Sequence, residues 1–265
     1  MVRYDTIKTK RDIFYGNVNL FGTQKIVNEA LQDLASTFQT DLRSLNVASS
    51  PKGLVGGPFI TTTNGNIFSS GLCQLIPEVE TFKSFKTSCK IVLVIEKEAV
   101  FNSIKQNYGA ISKIIGNFLF VTGKGYPCTA TREFVKMLGE NGLRVLGITD
   151  CDPFGIDIAR VYKYGSKSMN YCKQRLICPA FQRIGLTLTD VNVWQISDDQ
   201  KISLNSSDLQ KIESLLRCDL DFEIRQELLI MKQIGVKYEI EALDHEFHLF
   251  FCLNYLPAKV QNAIH

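Results

Sequence analysis

The stretch Gly147–Gly155 reads GITDCDPFG, and it closes one pattern while opening another. The apolar run Leu143–Ile148 predicts a strand, and Pro153 and Gly155 then turn the chain into a helical pattern. Side chains alternate along a strand, so Asp150 and Asp152 can point the same way at its carboxyl end. Two crowded carboxylates repel unless something positive sits between them, and a divalent cation is the usual answer. Taken alone, the same residues read as a strand that stops in a polar turn. The company they keep argues otherwise.

Upstream the rhythm is β-α-β-α-β. Lys90–Ile95 is a continuous apolar run, as expected for a strand covered on both faces. Ala99–Tyr108 is helical, Phe118–Val121 is a second strand, Gly123–Gly125 is a turn, and Thr129–Gly139 is helical. Such alternation predicts an α/β fold with a central, mainly parallel sheet and helices on both faces. Ligands of these sheets sit beyond the carboxyl ends of the strands. Glu96 ends the first strand, and Asp150 with Asp152 ends the third, so three carboxylates reach one edge. Mg²⁺ takes a few carboxylates and leaves positions for substrate oxygens and water, which suits chemistry on phosphodiesters.

Arg160 through Thr189 carries six Lys or Arg and no Asp or Glu. It reads either as a solvated face or as a positive strip for a phosphate-bearing polymer. Glu98 and Asp157 read as surface charge. Lys124, between two glycines, reads either as a phosphate contact or as a turn residue.

Nearer the amino terminus, Lys8–Asn17 is short and mixed, with Gly16 as a stop. Thr23–Gln39 has helical spacing with Thr23 as N-cap, and Asp41–Val47 fits a second short helix capped by Thr40. Phe59–Phe68, FITTTNGNIF, sets two β-rich runs around Asn64-Gly65, a strong hairpin signal. Helix, helix and hairpin is the order of a winged-helix module, which lays one helix on DNA. A polar stretch follows around Pro77–Ser88. Beyond Asp190 the strands fade: Asp208–Arg217 and Phe222–Leu243 read as helices, and the apolar segment His245–His265 is expected to pack down again.

The chain has 265 residues, 45% hydrophobic and 22% charged, with a net charge of +3 too small to name a partner. Its eight Cys show no C-x-x-C spacing and read as reduced thiols of an intracellular protein. The three His lack the Cys partners of a zinc site. No signal peptide opens the chain and no apolar run approaches membrane-spanning length, so no membrane partner is expected.

If phosphodiesters are the substrate, water as nucleophile makes a nuclease, and a protein nucleophile makes a transesterase that keeps the bond energy in a covalent link. Tyr15 is the candidate nucleophile. Arg11 lies four residues earlier, so the two share a helical face. A guanidinium and a metal-bound phosphate both favour a phenolate. A ring packed on a helical neighbour is the other reading of Tyr15.

Six blocks together resemble one family. Lys10–Gln24 (KRDIFYGNVNLFGTQ), Ser50–Gly57 (SPKGLVGG), Val94–Phe101 (VIEKEAVF), Val121–Pro127 (VTGKGYP), Asp150–Ile156 (DCDPFGI) and Tyr162–Ser166 (YKYGS) occur in that family's order. The family is that of the meiotic DNA double-strand-break proteins, related to the A subunit of topoisomerase VI. YKYGS is closer to the eukaryotic meiotic branch. Two positions depart: Phe14-Tyr15 stands where Tyr-Tyr is common, leaving one candidate, and Cys128 stands where Asp is usual. Only fourteen residues precede Tyr15, so the partner-docking region of the family is expected to be truncated or reduced.

The resemblance implies a winged-helix domain over residues 1–78 and a Toprim domain with a helical C-terminal extension over 79–265. It implies Tyr15 as nucleophile, Arg11 as its phosphate-facing helper, and Glu96, Asp150 and Asp152 as ligands of Mg²⁺. The implied activity is that of a type IIB topoisomerase-like transesterase making meiotic double-strand breaks in duplex DNA through a 5′-phosphotyrosyl link. A homodimer, a topoisomerase VI B-like subunit, meiotic accessory proteins and a nuclear location are implied with it. The alternatives are the A subunit of an ATP-dependent topoisomerase, a Toprim nuclease using water, and a scaffold protein without catalysis.

Overall fold

The computed structural model describes residues 6–40, 42–48, 52–63, 66–69, 73–77, 79, 82–166, 173–243 and 249–264. Strand β1 (Lys8–Thr9) leads into helix α1 (Lys10–Gly16), followed by α2 (Val18–Phe21) and α3 (Gln24–Thr37). A capping box starts α1. The Asp12 amide donates to Thr9 Oγ1 at 3.1 Å and the Thr9 amide donates to Asp12 Oδ2 at 2.8 Å. Thr23 stands at the N-cap of α3 with extended backbone but without a side-chain cap bond. Val27, Leu31 and Ala35 form the buried stripe of that helix, at the spacing read from the sequence.

The short helix expected over Asp41–Val47 is not there; Asp41 itself lies outside the described residues. Residues 42–46 form successive turns, and Asn46 takes a left-handed φ of 56° that stops any helix. The turns lay β2 (Val47–Ala48) alongside β1 in parallel, while Leu42 and Leu45 pack against Val27, Leu31 and Val47.

The expected hairpin is present as β4 (Ile60–Thr63) paired antiparallel with β5 (Asn66–Ser69), its Asn64-Gly65 tip lying outside the described residues. A third strand, β7 (Phe82–Lys86), joins β4 on its other edge from the stretch read only as polar.

The principal sheet has six strands in the order β11-β10-β8-β9-β3-β6. Here β3 is Leu54–Gly56, β6 is Gln74–Leu75, β8 is Ile91–Ile95, β9 is Leu119–Thr122, β10 is Arg144–Ile148 and β11 is Phe181–Gly185. The four from β11 to β9 run parallel, while β3 pairs antiparallel with both β9 and β6. Strands from before residue 78 thus hydrogen bond within the same sheet as those after it.

Every residue of β8 is buried, and its side chains alternate between two cores. Ile91, Leu93 and Ile95 face the cluster built on Phe101, Ile104 and Phe251. Val92 and Val94 face the one built on Phe134, Leu138 and Tyr162. Helix α4 (Glu98–Ile115) serves the first core, and α5 (Thr129–Glu140) the second. Helix α6 (Pro153–Tyr164) follows β10 directly, as the Pro-x-Gly turn predicts.

Helix α7 (Lys173–Leu176) precedes β11, and α8 (Leu188–Val193) follows it. Beyond β12 (Ile202–Ser203), helix α9 (Ser206–Leu216) matches expectation. The long helix expected over Phe222–Leu243 does not form. Helix α10 (Phe222–Ile234) ends at Gly235, whose left-handed φ of 70° is a helix stop. Strand β13 (Val236–Lys237) then pairs antiparallel with β12, and a 3₁₀ turn covers Ile240–Leu243. A π-helical turn, Phe251–Tyr255, and α11 (Leu256–Ile264) close the first core. His245 and His248 lie outside the described residues. Among the described residues no helix is long and apolar enough to cross a membrane.

Gly147 makes room for the Phe181 ring, whose Cζ would lie 2.1 Å from an added Cβ. That ring is buried and stacked on Tyr162 with centroids 5.2 Å apart, so it has nowhere to retreat. Gly147→Ala is expected to cost about 1–3 kcal/mol by overpacking. In urea this appears as a lower midpoint at unchanged slope; an unchanged midpoint would mean that the ring yields freely.

Candidate active site

Because β8, β9 and β10 are parallel neighbours, their carboxyl ends open on one edge, and backbone bonds knit the segments that leave them. The Glu96 amide donates to the Ile148 carbonyl at 3.1 Å, and the Gly125 amide donates to the Glu96 carbonyl at 3.0 Å. The Thr122 hydroxyl also donates to that Glu96 carbonyl, at 3.2 Å. Glu96 Oε2 in turn accepts the Asp150 amide at 3.0 Å. Asp152 caps α6, its Oδ1 accepting the Gly155 amide at 2.6 Å. An added Cβ at Gly155 would lie 2.5 Å from the Asp150 carbonyl oxygen and 3.1 Å from Glu96 Oε2. Glycine is therefore what lets α6 start against the acidic loop.

Glu96, Asp150 and Asp152 all lie at this edge, near enough for the two aspartate charges to act on Glu96. Burial, then the neighbouring Asp150 and Asp152 charges, push Glu96 up to about 8, against the pull of the Asp150 amide. Burial raises Asp150 to about 6 despite Lys97 and the Ile240 amide, and burial also raises Asp152. Yet among the described residues no three His, Cys, Asp or Glu side chains converge as a ready-made metal cage. Asp150 is engaged elsewhere: Oδ1 accepts the Ile240 amide at 2.9 Å, and Oδ2 pairs with Lys97 Nζ at 3.0 Å.

These partners come from a segment the sequence reading placed inside a helix. Tyr238 and Cys151 exchange both backbone bonds at 3.0 Å, so residues 236–241 strap the acidic loop. Lys237 anchors that strap on α9 by pairing with the fully buried Asp208 at 2.9 Å. Glu239 and Glu241, flanking Ile240, both pair with Lys97. Lys97, Glu239 and Glu241 were not foreseen. The local signals were the Lys between Glu96 and Glu98 and the Gly235 helix stop.

The basic strip is largely neutralised within the molecule. Arg160 pairs with Asp157 at 2.8 Å, Lys163 with Asp221 at 2.8 Å, Arg175 with Glu133 at 2.8 Å and Arg183 with Glu227 at 2.7 Å. Lys167 and the Lys173 side chain lie outside the described residues. Buried Arg183 also donates to Thr149 Oγ1 at 2.9 Å and to the Asp150 carbonyl at 3.2 Å, so it props the acidic loop from below. Asp157, expected at the surface, is buried and accepts from Tyr126, Arg160 and Lys211. Lys124 pairs with Glu98 at 2.9 Å, with its own φ at 54°.

Arg11 and Tyr15 share α1, one turn apart, and Tyr15 is 69% exposed. The Tyr15 ring touches Phe14 at 5.4 Å between centroids. Among the described residues no hydrogen bond or ion pair joins Tyr15 or Arg11 to the acidic edge. Cys128, in the position where Asp is usual, starts α5 and shares a 3.3 Å hydrogen bond with Thr131 Oγ1.

The crowding has a measurable sign. Glu96 holds its proton in the folded chain between its ordinary 4.5 and about 8, where the unfolded chain has lost it. The folded state binds more protons in that window, so this group's contribution to stability falls as pH rises through it. The thermal midpoint of metal-free protein, wild type minus Glu96→Gln, is expected to decline across that range. A flat difference would mean that the carboxylates are not crowded.

The family model for the Toprim domain of the topoisomerase 6 A-subunit/Spo11 proteins matches residues 91–260, and the model described as type IIB DNA topoisomerase matches residues 1–47. The chain is 34% identical to meiotic recombination protein W68 of Drosophila melanogaster over 97% of its own length and 77% of the relative's. It is 32% identical to human meiotic recombination protein SPO11, over 98% and 68% respectively. With the A subunit of DNA topoisomerase 6 from Arabidopsis thaliana it shares 30% identity, over 96% and 61%. A match that runs through the acidic edge and most of both cores leaves one assignment: the chain belongs to the family of Spo11 and the topoisomerase 6 A subunit.

Proposed function

We propose that this chain is a DNA-cleaving transesterase of meiotic recombination, with Tyr15 as nucleophile and Glu96, Asp150 and Asp152 as the holders of Mg²⁺. The observation that carries the reading is an exposed Tyr15 on the short helix α1, within a chain alike to meiotic recombination proteins over nearly its whole length. Tyr15 Oη attacks a backbone phosphorus of duplex DNA. The P–O3′ bond breaks, leaving a 5′-phosphotyrosyl link and a free 3′-hydroxyl, and the phenol proton ends on the departing oxygen by way of solvent. Arg11, one turn away, offers a guanidinium to the same phosphate.

The donor set suits a hard cation, since it offers carboxylate oxygens from buried Asp150 and half-buried Glu96 and Asp152 at one edge of the sheet. Mg²⁺ bound there supplies positive charge to the phosphate oxygens. Helix α1 packs on β1, α2 and α3, and Tyr15 is left open to another molecule. This supports a homodimer in which the tyrosine of one protomer serves the acidic edge of its partner. Residues 1–78 act as the winged-helix part and 79–265 as the Toprim part. Meiotic accessory proteins and a topoisomerase VI B-like subunit complete the assembly on chromosomal DNA in the nucleus.

Recovery of DNA covalently attached to the protein from meiotic cells tests this. Wild type is expected to give adduct and Tyr15→Phe none, with DNA binding nearly intact. Adduct from Tyr15→Phe would refute the nucleophile, and breaks without adduct would favour a nuclease using water.

A further inference from the structure

Both oxygens of the Asp150 carboxylate are taken within the chain. The Ile240 amide holds Oδ1 at 2.9 Å, and the Lys97 ammonium holds Oδ2 at 3.0 Å. Lys97 Nζ also lies 2.6 Å from Glu241 Oε2 and 3.2 Å from Glu239 Oε2. The ammonium is therefore bridged between a buried acid at the edge and two more exposed acids on the strap. A lysine stem of four carbons can shift its charged end without moving the backbone. A divalent ion that takes Asp150 Oδ2 meets a positive charge on that same oxygen, and the two cations repel.

We infer that Lys97 is a built-in competitor for the cation at this edge, with Glu239 and Glu241 as the seat to which its ammonium withdraws when the ion binds. The inference rests on the metal-site reading of Glu96, Asp150 and Asp152 and adds a gate to it. It gives a reason for acids on both sides of Ile240. The residue that fixes Asp150 through its amide is flanked by the two side chains that receive the displaced lysine. Lys97 is a positioning residue here, since it acts on the ion through Asp150.

The test is Mn²⁺ affinity of the full chain, followed by the electron paramagnetic resonance signal of free Mn²⁺ at one fixed pH for all variants. Lys97→Met is expected to bind about tenfold more tightly than wild type, because a neighbouring positive charge in a partly buried site is removed. Lys97→Arg keeps the charge and is expected to stay near wild type. Glu239→Gln with Glu241→Gln keeps both Lys97 and Asp150 but removes the seat, and is expected to weaken binding several-fold. Glu98→Gln removes a nearby acid that pairs with Lys124, and gives the baseline for charge acting through space.

Unchanged or weaker binding in Lys97→Met would overturn the competitor role while leaving the metal site standing. Should that variant fail to fold, the double glutamine variant decides: an affinity no lower than that of Glu98→Gln would overturn the seat and the gate. Wild-type binding that survives Asp150→Asn unchanged would instead refute the metal-site reading, and the gate with it.

Discussion

The hydrogen bond from the Asp150 amide to Glu96 Oε2, 3.0 Å long, ties the ends of two adjacent parallel strands through a side chain that is largely withdrawn from water. Holding a carboxylate there is costly, and the rest of the edge is arranged around that cost. Gly155 lets the amino end of α6 approach within contact of the loop, and Asp152 caps that helix. Arg183 braces the loop carbonyl of Asp150 while its own charge is met by half-buried Glu227. Residues 236–241 close over the outer side and bring both an amide for Asp150 and two acids for Lys97. In this arrangement the charge of Asp150 is met by the Lys97 ammonium, itself shared with Glu239 and Glu241.

Much of this edge was readable from local pattern. The apolar runs ending at Ile95 and Ile148, with helical spacing between them, require parallel strands. Parallel strands bring the segments that follow Ile95 and Ile148, which carry Glu96, Asp150 and Asp152, out at one edge of the sheet. The Asn64-Gly65 hairpin was equally local, and its strands pair in the register that a two-residue loop demands. Strand β11 was missed because Gln182 and Arg183 sit at its centre, where burial of the arginine depends on Glu227, a residue of α10 far along the chain. Strands β3 and β6 are three and two residues long, too short to show any period.

The strap was illegible for a different reason. Its contacts with Lys97 span 142 and 144 residues of sequence, and its pairing with Cys151 consists of backbone bonds from a single residue. Nothing in local spacing announces such a segment, although Gly235 did mark the end of the helix before it. The basic strip teaches the converse. A run without acids in sequence is not a free positive face, because Asp157, Asp221, Glu133 and Glu227 arrive from elsewhere to meet it. Charge that touches DNA phosphates is then better sought near Arg11, on the exposed helix that carries Tyr15.

The most direct measurement of the central claim is an anomalous-scattering map of crystals of this chain grown with Mn²⁺. The account predicts one ion peak bounded by Glu96, Asp150 and Asp152, with the Lys97 ammonium drawn off Asp150 and seated on Glu239 and Glu241. An ion bound elsewhere, with Lys97 still on Asp150 Oδ2, would contradict it.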